Sequence, residues 1–163
     1  MQIDKTIITN MGALGEKYGS NLTRIKKAVE RLLAADKKRG LEAKVVAVDS
    51  IDDMEAVKGR VVTDKGDQRQ VKAAVDAVYR AYRPDYMMII GAPDIVPHQD
   101  LKNPLYNPRG DEDRVIPSDL PYACDAPFSS DPSKFLVSCL INCVSVFGNI
   151  TFDNDMSFLR GSG

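Results

Sequence analysis

The sequence predicts a mixed α/β fold, an open three-layer sandwich with a mostly parallel sheet. Three short apolar segments rich in strand-forming residues alternate with segments whose apolar residues recur at helical spacing. Strands that alternate with helices favour parallel pairing through right-handed crossovers. The 163 residues are enough for one domain with a hydrophobic core of its own.

The predicted strands are Ile3 to Thr9, Ala43 to Asp49 and Asp85 to Gly91. Each is short, apolar and bounded by polar or turn-forming residues, as buried strands are. The third segment reads DYMMIIG and shows no alternation of polar and apolar residues. We therefore expect it to be buried on both faces, in the middle of the sheet.

Amphipathic helices are predicted between these strands. The first begins at Ser20, which can cap it, and ends in a basic last turn before Gly40. A short helix over Ile51 to Lys58 follows the second strand. The last helix is capped by Asp67 and stops before Pro84, because proline cannot continue the hydrogen-bond ladder.

Two segments are predicted to be irregular. Asn10 to Gly19 holds three glycines and is expected to be a loop. Gly91 to Pro132 holds eight of the nine prolines, with a short strand predicted over Leu120 to Cys124. Ligands of open α/β sheets bind beyond the carboxyl ends of the strands. The long segment after the third strand is therefore where we expect a site.

The composition limits which partners and cellular locations are expected. The formal net charge is −1, from 22 basic and 23 acidic residues, which favours neither a nucleic acid nor a membrane surface as partner. Basic residues such as Lys26 and Lys27 have acidic neighbours and are interpreted as a solvated helix face. The first residues, MQIDKTIITN, show no signal-peptide pattern, so a cytoplasmic location is predicted.

Candidates for chemistry are few. His98 is the only histidine, and the sequence does not place it beside Cys124, the candidate thiol for a nucleophile–base pair. A loop histidine bonded to backbone or water is the simpler interpretation. Asp111, Glu112 and Asp113 suggest a solvated acidic turn, with calcium as a weak alternative. The glycines after the first strand do not have the spacing of a dinucleotide-binding loop, and no cofactor is predicted.

Three segments together resemble the gingipain-like cysteine peptidases. They are Lys37 to Val48 (KKRGLEAKVVAV), Asp85 to Pro97 (DYMMIIGAPDIVP) and Ile116 to Asp125 (IPSDLPYACD). They follow one another in the family's order, and the resemblance covers about residues 3–132. It implies a caspase-like or flavodoxin-like sandwich and a cysteine peptidase, a hydrolase, as the relative.

The resemblance implies an incomplete fold and an inactive chain. The family's catalytic histidine, in a His-Gly, and its cysteine lie well downstream of the matched segments. His98 and Cys124 do not match them, so no catalytic residue and no metal ligand is carried over. The motif region instead suggests a set of binding positions: Gly91, Asp94, Pro97, His98, Ser118, Asp119 and Tyr122.

The chain is therefore predicted to be the non-catalytic front half of such a peptidase. The alternative is a binding or regulatory module that uses the 92–132 loop to hold a protein partner or a cation. Residues 1–134 are assigned to the α/β domain and residues 135–163 to a divergent apolar tail, either unrelated sequence or a strand pair that completes the sheet. A protein or peptide partner is expected, and a homodimer through the tail or an open sheet edge is predicted.

Overall fold

The computed structural model describes residues 2–135; the predictions for the rest of the apolar tail lie outside the described residues. The described chain forms five named strands and four named α-helices, and residues 132–135 are helical as well. The named elements are β1 (Lys5–Thr9), α1 (Met11–Tyr18), α2 (Leu22–Lys38), β2 (Ala43–Ala47), α3 (Ile51–Ala56), α4 (Gln68–Tyr82), β3 (Tyr86–Ile89), β4 (Gln99–Lys102) and β5 (Val115–Ser118). This order confirms a mixed α/β fold.

The main sheet has the strand order β2-β1-β3, and both pairings are parallel. Lys5 of β1 lies opposite Ala43 of β2 and Tyr86 of β3, so the three strands start nearly level. Their carboxyl ends therefore meet at one edge of the sheet. The parallel sheet predicted from the sequence is confirmed for these three strands.

The main core lies on the face of the sheet that carries Ile8 and Val46. Both side chains are fully buried and belong to one cluster with the apolar stripe of α4. That stripe consists of Val71, Ala74, Val75 and Val78. Asp67 caps α4 as predicted, because its carboxylate accepts hydrogen bonds from the amides of Arg69 and Gln70.

Helix α2 packs less deeply than α4. Its apolar residues Ile25, Val29 and Leu33 border Val45 of β2 and are only half-buried. An ion pair holds the end of the helix to the sheet, because the Nζ of Lys5 lies 2.9 Å from the buried carboxylate of Asp36. The Lys5 hydrogen bond lowers the pKa of Asp36.

The predicted loop between β1 and α2 is wrong, because residues Met11–Tyr18 form helix α1. Asn10 caps it by accepting a hydrogen bond from the amide of Ala13 at 2.9 Å. The carboxylate of Asp49 accepts two more, from the amides of Met11 and Gly12. These three bonds satisfy donors at the start of the helix and outweigh the low helix propensity of its glycines. Helix α2 then begins at Leu22, and Ser20 is not its cap.

The prediction that strand β3 is buried on both faces is wrong, because its Tyr86 and Met88 side chains are 59% and 39% exposed. Among residues 2–135 it is the last strand on its side of the sheet, so its predicted place in the middle finds no support there. A continuous apolar segment is typical of a buried strand, but here one face of the strand has no helix of residues 2–135 over it. Chain position alone does not reveal how far a sheet extends.

The segment 91–132 is more regular than predicted. Strands β4 and β5 form an antiparallel pair, with Gln99 opposite Ser118 and Lys102 opposite Val115. Residues Leu120–Ala123 form a 3-10 turn rather than the predicted strand. The side chain of Asn103 holds the connection between the strands, since it donates hydrogen bonds to the Asp111 carboxylate and the Asp113 carbonyl.

Gly91 is required by its surroundings, and its replacement gives a test of the fold. Its φ is +134°, and a Cβ atom there would lie 2.5 Å from the Cβ of Ile95. We expect Gly91→Ala to lower the free energy of unfolding by about 2 kcal/mol or more, because backbone strain and a clash add together. Chemical denaturation measures the change.

Two controls separate the causes. Gly40 has a φ of +81° and no atom within 4 Å of the position that a Cβ would take, so Gly40→Ala adds backbone strain alone. Gly110→Ala adds neither, because its nearest neighbour would be 3.8 Å away. A Gly91→Ala variant as stable as Gly110→Ala would contradict the described packing of the turn after β3.

Candidate functional site

The structure divides the seven predicted site residues between two segments that meet. Four follow β3 in the turn that leads to β4, and three lie at the end of β5 and in the 3-10 turn after it. Pairing of β4 with β5 brings the two segments side by side. The first group is Gly91, Asp94, Pro97 and His98, and the second is Ser118, Asp119 and Tyr122.

The first segment is attached to helix α1. Asp94 accepts hydrogen bonds from the Nζ of Lys17, at 2.7 and 2.6 Å to its two carboxylate oxygens. This bond lowers the pKa of Asp94 and raises that of Lys17. Asp94 is therefore engaged within the chain, and its role in the structure is to fix the turn above α1.

Tyr122 joins the second segment to the first. Its side chain is 8% exposed, and its hydroxyl donates a hydrogen bond of 2.6 Å to the carbonyl of Pro97. Burial raises the pKa of Tyr122 to about 12, and the nearby Gln99 side chain opposes that shift. Pro97 and Tyr122 are thus structural partners, which the sequence pattern alone did not reveal.

His98 and Asp119 occupy neighbouring places at one end of the hairpin. Gln99 lies opposite Ser118, so the next positions outward on the two strands belong to His98 and Asp119. His98 is exposed, and the hydroxyl of Ser118 accepts a hydrogen bond from the amide of Leu120. Ser118 thus shapes the turn, while the side chains of His98 and Asp119 are exposed.

A buried ion pair lies beneath the segment that follows this hairpin, and sequence analysis missed it. Lys72 and Asp76 of α4 are 1% and 6% exposed and are bonded to each other. The Nζ of Lys72 also donates a hydrogen bond of 2.9 Å to the carbonyl of Cys124. Burial lowers the pKa of Lys72 and raises that of Asp76, because desolvation disfavours both charged forms.

The available sequence signal was the position of this pair on α4. Lys72 immediately follows Val71, and Asp76 immediately follows Val75, both residues of the apolar stripe. Opposite charges four residues apart on a helix commonly pair on its surface. The sequence does not show that the 119–126 segment covers them, so their burial could not be predicted.

A pocket of about 360 Å³ opens between α4, β3 and the 119–125 segment. Both polar groups and the apolar side chains of β3 line it. Its polar and aromatic lining is Asp76, Tyr79, Asp85, Asp119, Tyr122 and Asp125. Asp125 is paired with Arg80 at 2.8 Å, and Asp76 with Lys72, which leaves Asp85 and Asp119 as the lining carboxylates without an ion pair among residues 2–135. Such a pocket favours a basic or hydrogen-bond-donating group.

The carboxyl edge of β1 is a poor anion site. A helix N-terminus there would ordinarily present free amides to a phosphate. In this chain Asp49 occupies that place and accepts from the amides of Met11 and Gly12 at 2.8 and 2.7 Å. A Cβ on Gly12 would lie 3.0 Å from the same carboxylate.

The thiol considered as a partner for His98 is engaged elsewhere. Cys124 is 1% exposed and disulfide-bonded, so it offers no free thiolate. Among residues 2–135, no group of three or more His, Cys, Asp or Glu side chains is placed to hold a metal ion. Calcium at the acidic turn stays a prediction, and there the carboxylate of Asp111 already accepts hydrogen bonds from Asn103 and the amide of Asp113.

Comparison with known proteins adds no family assignment. No protein-family model, curated protein or solved structure matches the chain. Within the described part of the chain, no helix has the length and apolar character needed to cross a bilayer.

Removal of the Tyr122 hydroxyl tests the contact that joins the two segments. We expect Tyr122→Phe to lower the free energy of unfolding by about 1 kcal/mol, because the carbonyl of Pro97 loses its hydrogen bond. Tyr106→Phe is the matched control, since Tyr106 is 38% exposed. Urea unfolding at neutral pH measures both changes.

The stability of the wild-type chain and that of Tyr122→Phe should depend differently on pH. The folded pKa of Tyr122, about 12, lies above its ordinary value of 10.0. The unfolded chain therefore loses this proton first, and stability decreases as the pH rises from about 10 to 12, by up to about 3 kcal/mol. Tyr122→Phe should lack this component, so a variant with the wild-type alkaline profile would contradict the assignment.

Proposed function

We propose that the chain is a non-catalytic α/β domain, related to the gingipain-like cysteine peptidases, that holds a protein or peptide partner at the open edge of β3. The observation that supports the proposal is the unpaired edge of β3. Within residues 2–135, β3 pairs only with β1, and the pocket beside it is lined by carboxylates and tyrosines. An unpaired strand edge is a ready template for pairing with another chain.

The packing of the family-like segments supports the kinship. These segments cover β2, then β3 with its following turn, and then β5 with the 3-10 turn. The hydrogen bond from Tyr122 to Pro97 holds the last two together, while the close contact of Gly91 with Ile95 shapes the turn within the second. A caspase-like or flavodoxin-like three-layer sandwich, incomplete in this chain, is part of the proposal.

The lack of peptidase activity follows from the proposed kinship. The family's histidine and cysteine are expected downstream of the matched segments, and the motif positions here serve packing. His98 is exposed at the end of a hairpin, whereas Cys124 is buried and disulfide-bonded. These two residues do not supply a nucleophile–base pair.

The backbone of β3 suits strand addition. The amides of Tyr86 and Ile90 donate to carbonyls of the β1 segment, at 3.0 and 2.8 Å. Alternate amides of a strand point to opposite sides, so those of Met87 and Ile89 face the open edge. A strand added there would have the carboxylate-lined pocket on one face and the exposed side chains of Tyr86 and Met88 on the other.

The partner can be a peptide or a second copy of this chain. Two copies joined through β3 would form a continuous sheet about a two-fold axis, with each β3 antiparallel to its partner. A homodimer through this edge is thus the form of the partner prediction that the described residues support best.

A cytoplasmic location remains a prediction. Localisation of the tagged chain in its own cell tests it.

Peptidase assays test the absence of catalysis. Incubation with arginyl, lysyl and aspartyl peptide substrates should give no turnover above a buffer control, because the chain lacks the family's catalytic pair. The control is a Cys124→Ala variant assayed in parallel. Turnover by the wild-type chain that is lost in this variant would overturn the proposal of a non-catalytic domain.

Charge substitution at the exposed face of β3 tests the edge. We expect the wild-type chain to be a dimer by light scattering, and Tyr86→Lys/Met88→Lys to be a monomer, because lysines on an edge strand oppose pairing. Both side chains are exposed, so the substitutions leave the core unchanged.

Ile51→Lys/Leu105→Lys is the matched control, because these residues are 63% and 76% exposed and lie outside β3. It should remain a dimer. A wild-type chain that is monomeric at micromolar concentration, or a dimer that the β3 substitutions leave intact, would count against the edge as the interface.

A further inference from the structure

A second surface lies on the opposite side of the sheet from the carboxylate-lined pocket. It is a groove of about 980 Å³ between helices α1 and α2 and the turn that follows β3. We call it the α2 groove. Its lining residues are Leu14, Tyr18, Asn21, Arg24, Ile25, Lys27, Ala28, Arg31, Ile90, Gly91 and Ala92.

The charged residues of the α2 groove are all basic. Arg24, Lys27 and Arg31 line it and are exposed, and the lining contains no acidic residue. Within the described part of the chain none of the three forms an ion pair. Glu30 of the same helix lies elsewhere, since it lines the apolar cleft between α2 and β2.

The three cations form a row along α2. They are separated by three and four residues, so they lie on one face of the helix and span about 10 Å. Like charges at this spacing destabilise a helix. Because the net charge of the chain is −1, this local excess of positive charge is not a general property of the protein.

The walls of the groove are apolar. Leu14, Ile25 and Ile90 contribute them, and Ile25 and Ile90 are only half-buried. The groove also lies at the carboxyl ends of β1 and β3. The chain leaves β1 for β2 on one side and returns to β3 on the other, which makes this the switch point of the sheet. Ligands of open α/β sheets bind at such points.

We propose that the α2 groove docks an amphipathic helix of a partner protein, with acidic side chains directed at Arg24, Lys27 and Arg31 and apolar side chains directed at Ile25 and Ile90. We choose an acidic partner because its charge is complementary to the three cations of the groove. We choose a helix because acidic residues at i, i+3 and i+7 of a partner helix form a row as long as the row of cations on α2.

Two other occupants fit less well. Alternate side chains of an extended segment recur about every 6.6 Å, which does not match the row on α2. A small anion would leave most of its surface in water beside exposed cations, whereas small-molecule sites enclose their ligands. This surface is independent of the β3 edge, so the inference does not rest on the proposed function.

Fluorescence anisotropy with labelled synthetic helices tests the proposal on the full chain. The probe is an alanine-based peptide of about 20 residues with leucines on one face and glutamates beside them at i, i+3 and i+7. The comparison peptide has lysine at each glutamate position. The acidic peptide should bind and the basic peptide should not. Raising the ionic strength from about 0.1 M to 1 M should weaken binding, because the Debye length falls from about 10 Å to 3 Å.

Charge reversal locates the interface. Arg24→Glu/Lys27→Glu/Arg31→Glu should weaken binding of the acidic peptide by about tenfold or more and should create binding of the basic peptide. The control Arg60→Glu/Arg109→Glu/Lys134→Glu changes the net charge equally at exposed positions elsewhere and should leave the affinity within about twofold. Far-UV circular dichroism verifies that both variants are folded.

Three results would overturn the proposal. The first is no binding of the acidic peptide by the wild-type chain. The second is an equal loss of affinity in the two triple variants, which would mean attraction without a defined site. The third is full competition by inorganic phosphate or by anionic vesicles at matched charge concentration, which would assign the row to anions in general or to a membrane surface.

Discussion

The pairing of β1 with strands on both sides is the constraint on which the rest of the structure depends. Ile7 and Ile8 are fully buried, and β1 is the only strand of the described sheet with a neighbour on each edge. Because both pairings are parallel, the carboxyl ends of three strands converge, and the turns that follow them must share one rim. Helix α1, Asp49 and the turn at Gly91 are neighbours for this reason.

The rim shows how short polar contacts fix such turns. Asp49, at the end of β2, caps the helix that follows β1, and Lys17 of that helix binds Asp94 in the turn after β3. The connection between β1 and β2 is thereby tied to the one after β3. The Asp49 carboxylate that stabilises α1 also occupies the amides to which an anion would bind. Capping of this helix and binding of an anion at its N-terminus therefore exclude each other.

Sequence analysis predicted the parallel α/β order and the Asp67 cap, because burial and capping leave local patterns. It failed where an element or contact depends on residues that are far apart in the sequence. Helix α1 depends on Asp49, which lies 38 residues from Met11 in the chain. The β4–β5 hairpin and the contact of Tyr122 with Pro97 likewise depend on residues far apart in sequence. Of the seven predicted site residues, Gly91, Pro97 and Tyr122 have packing roles that the motif itself did not distinguish from binding roles.

The two sides of β3 differ in charge, and this difference constrains how partners can be held. The α4 side presents a pocket with Asp85 and Asp119, and the α2 side presents Arg24, Lys27 and Arg31. These charges nearly cancel in the total, so the net charge of −1 does not reveal them. Interaction with a partner depends on the local field, because charges farther apart than about 10 Å are screened at ordinary salt. An acidic helix is therefore attracted to one side of β3 and repelled from the other, so the docking site of a partner depends on the sign of its charge.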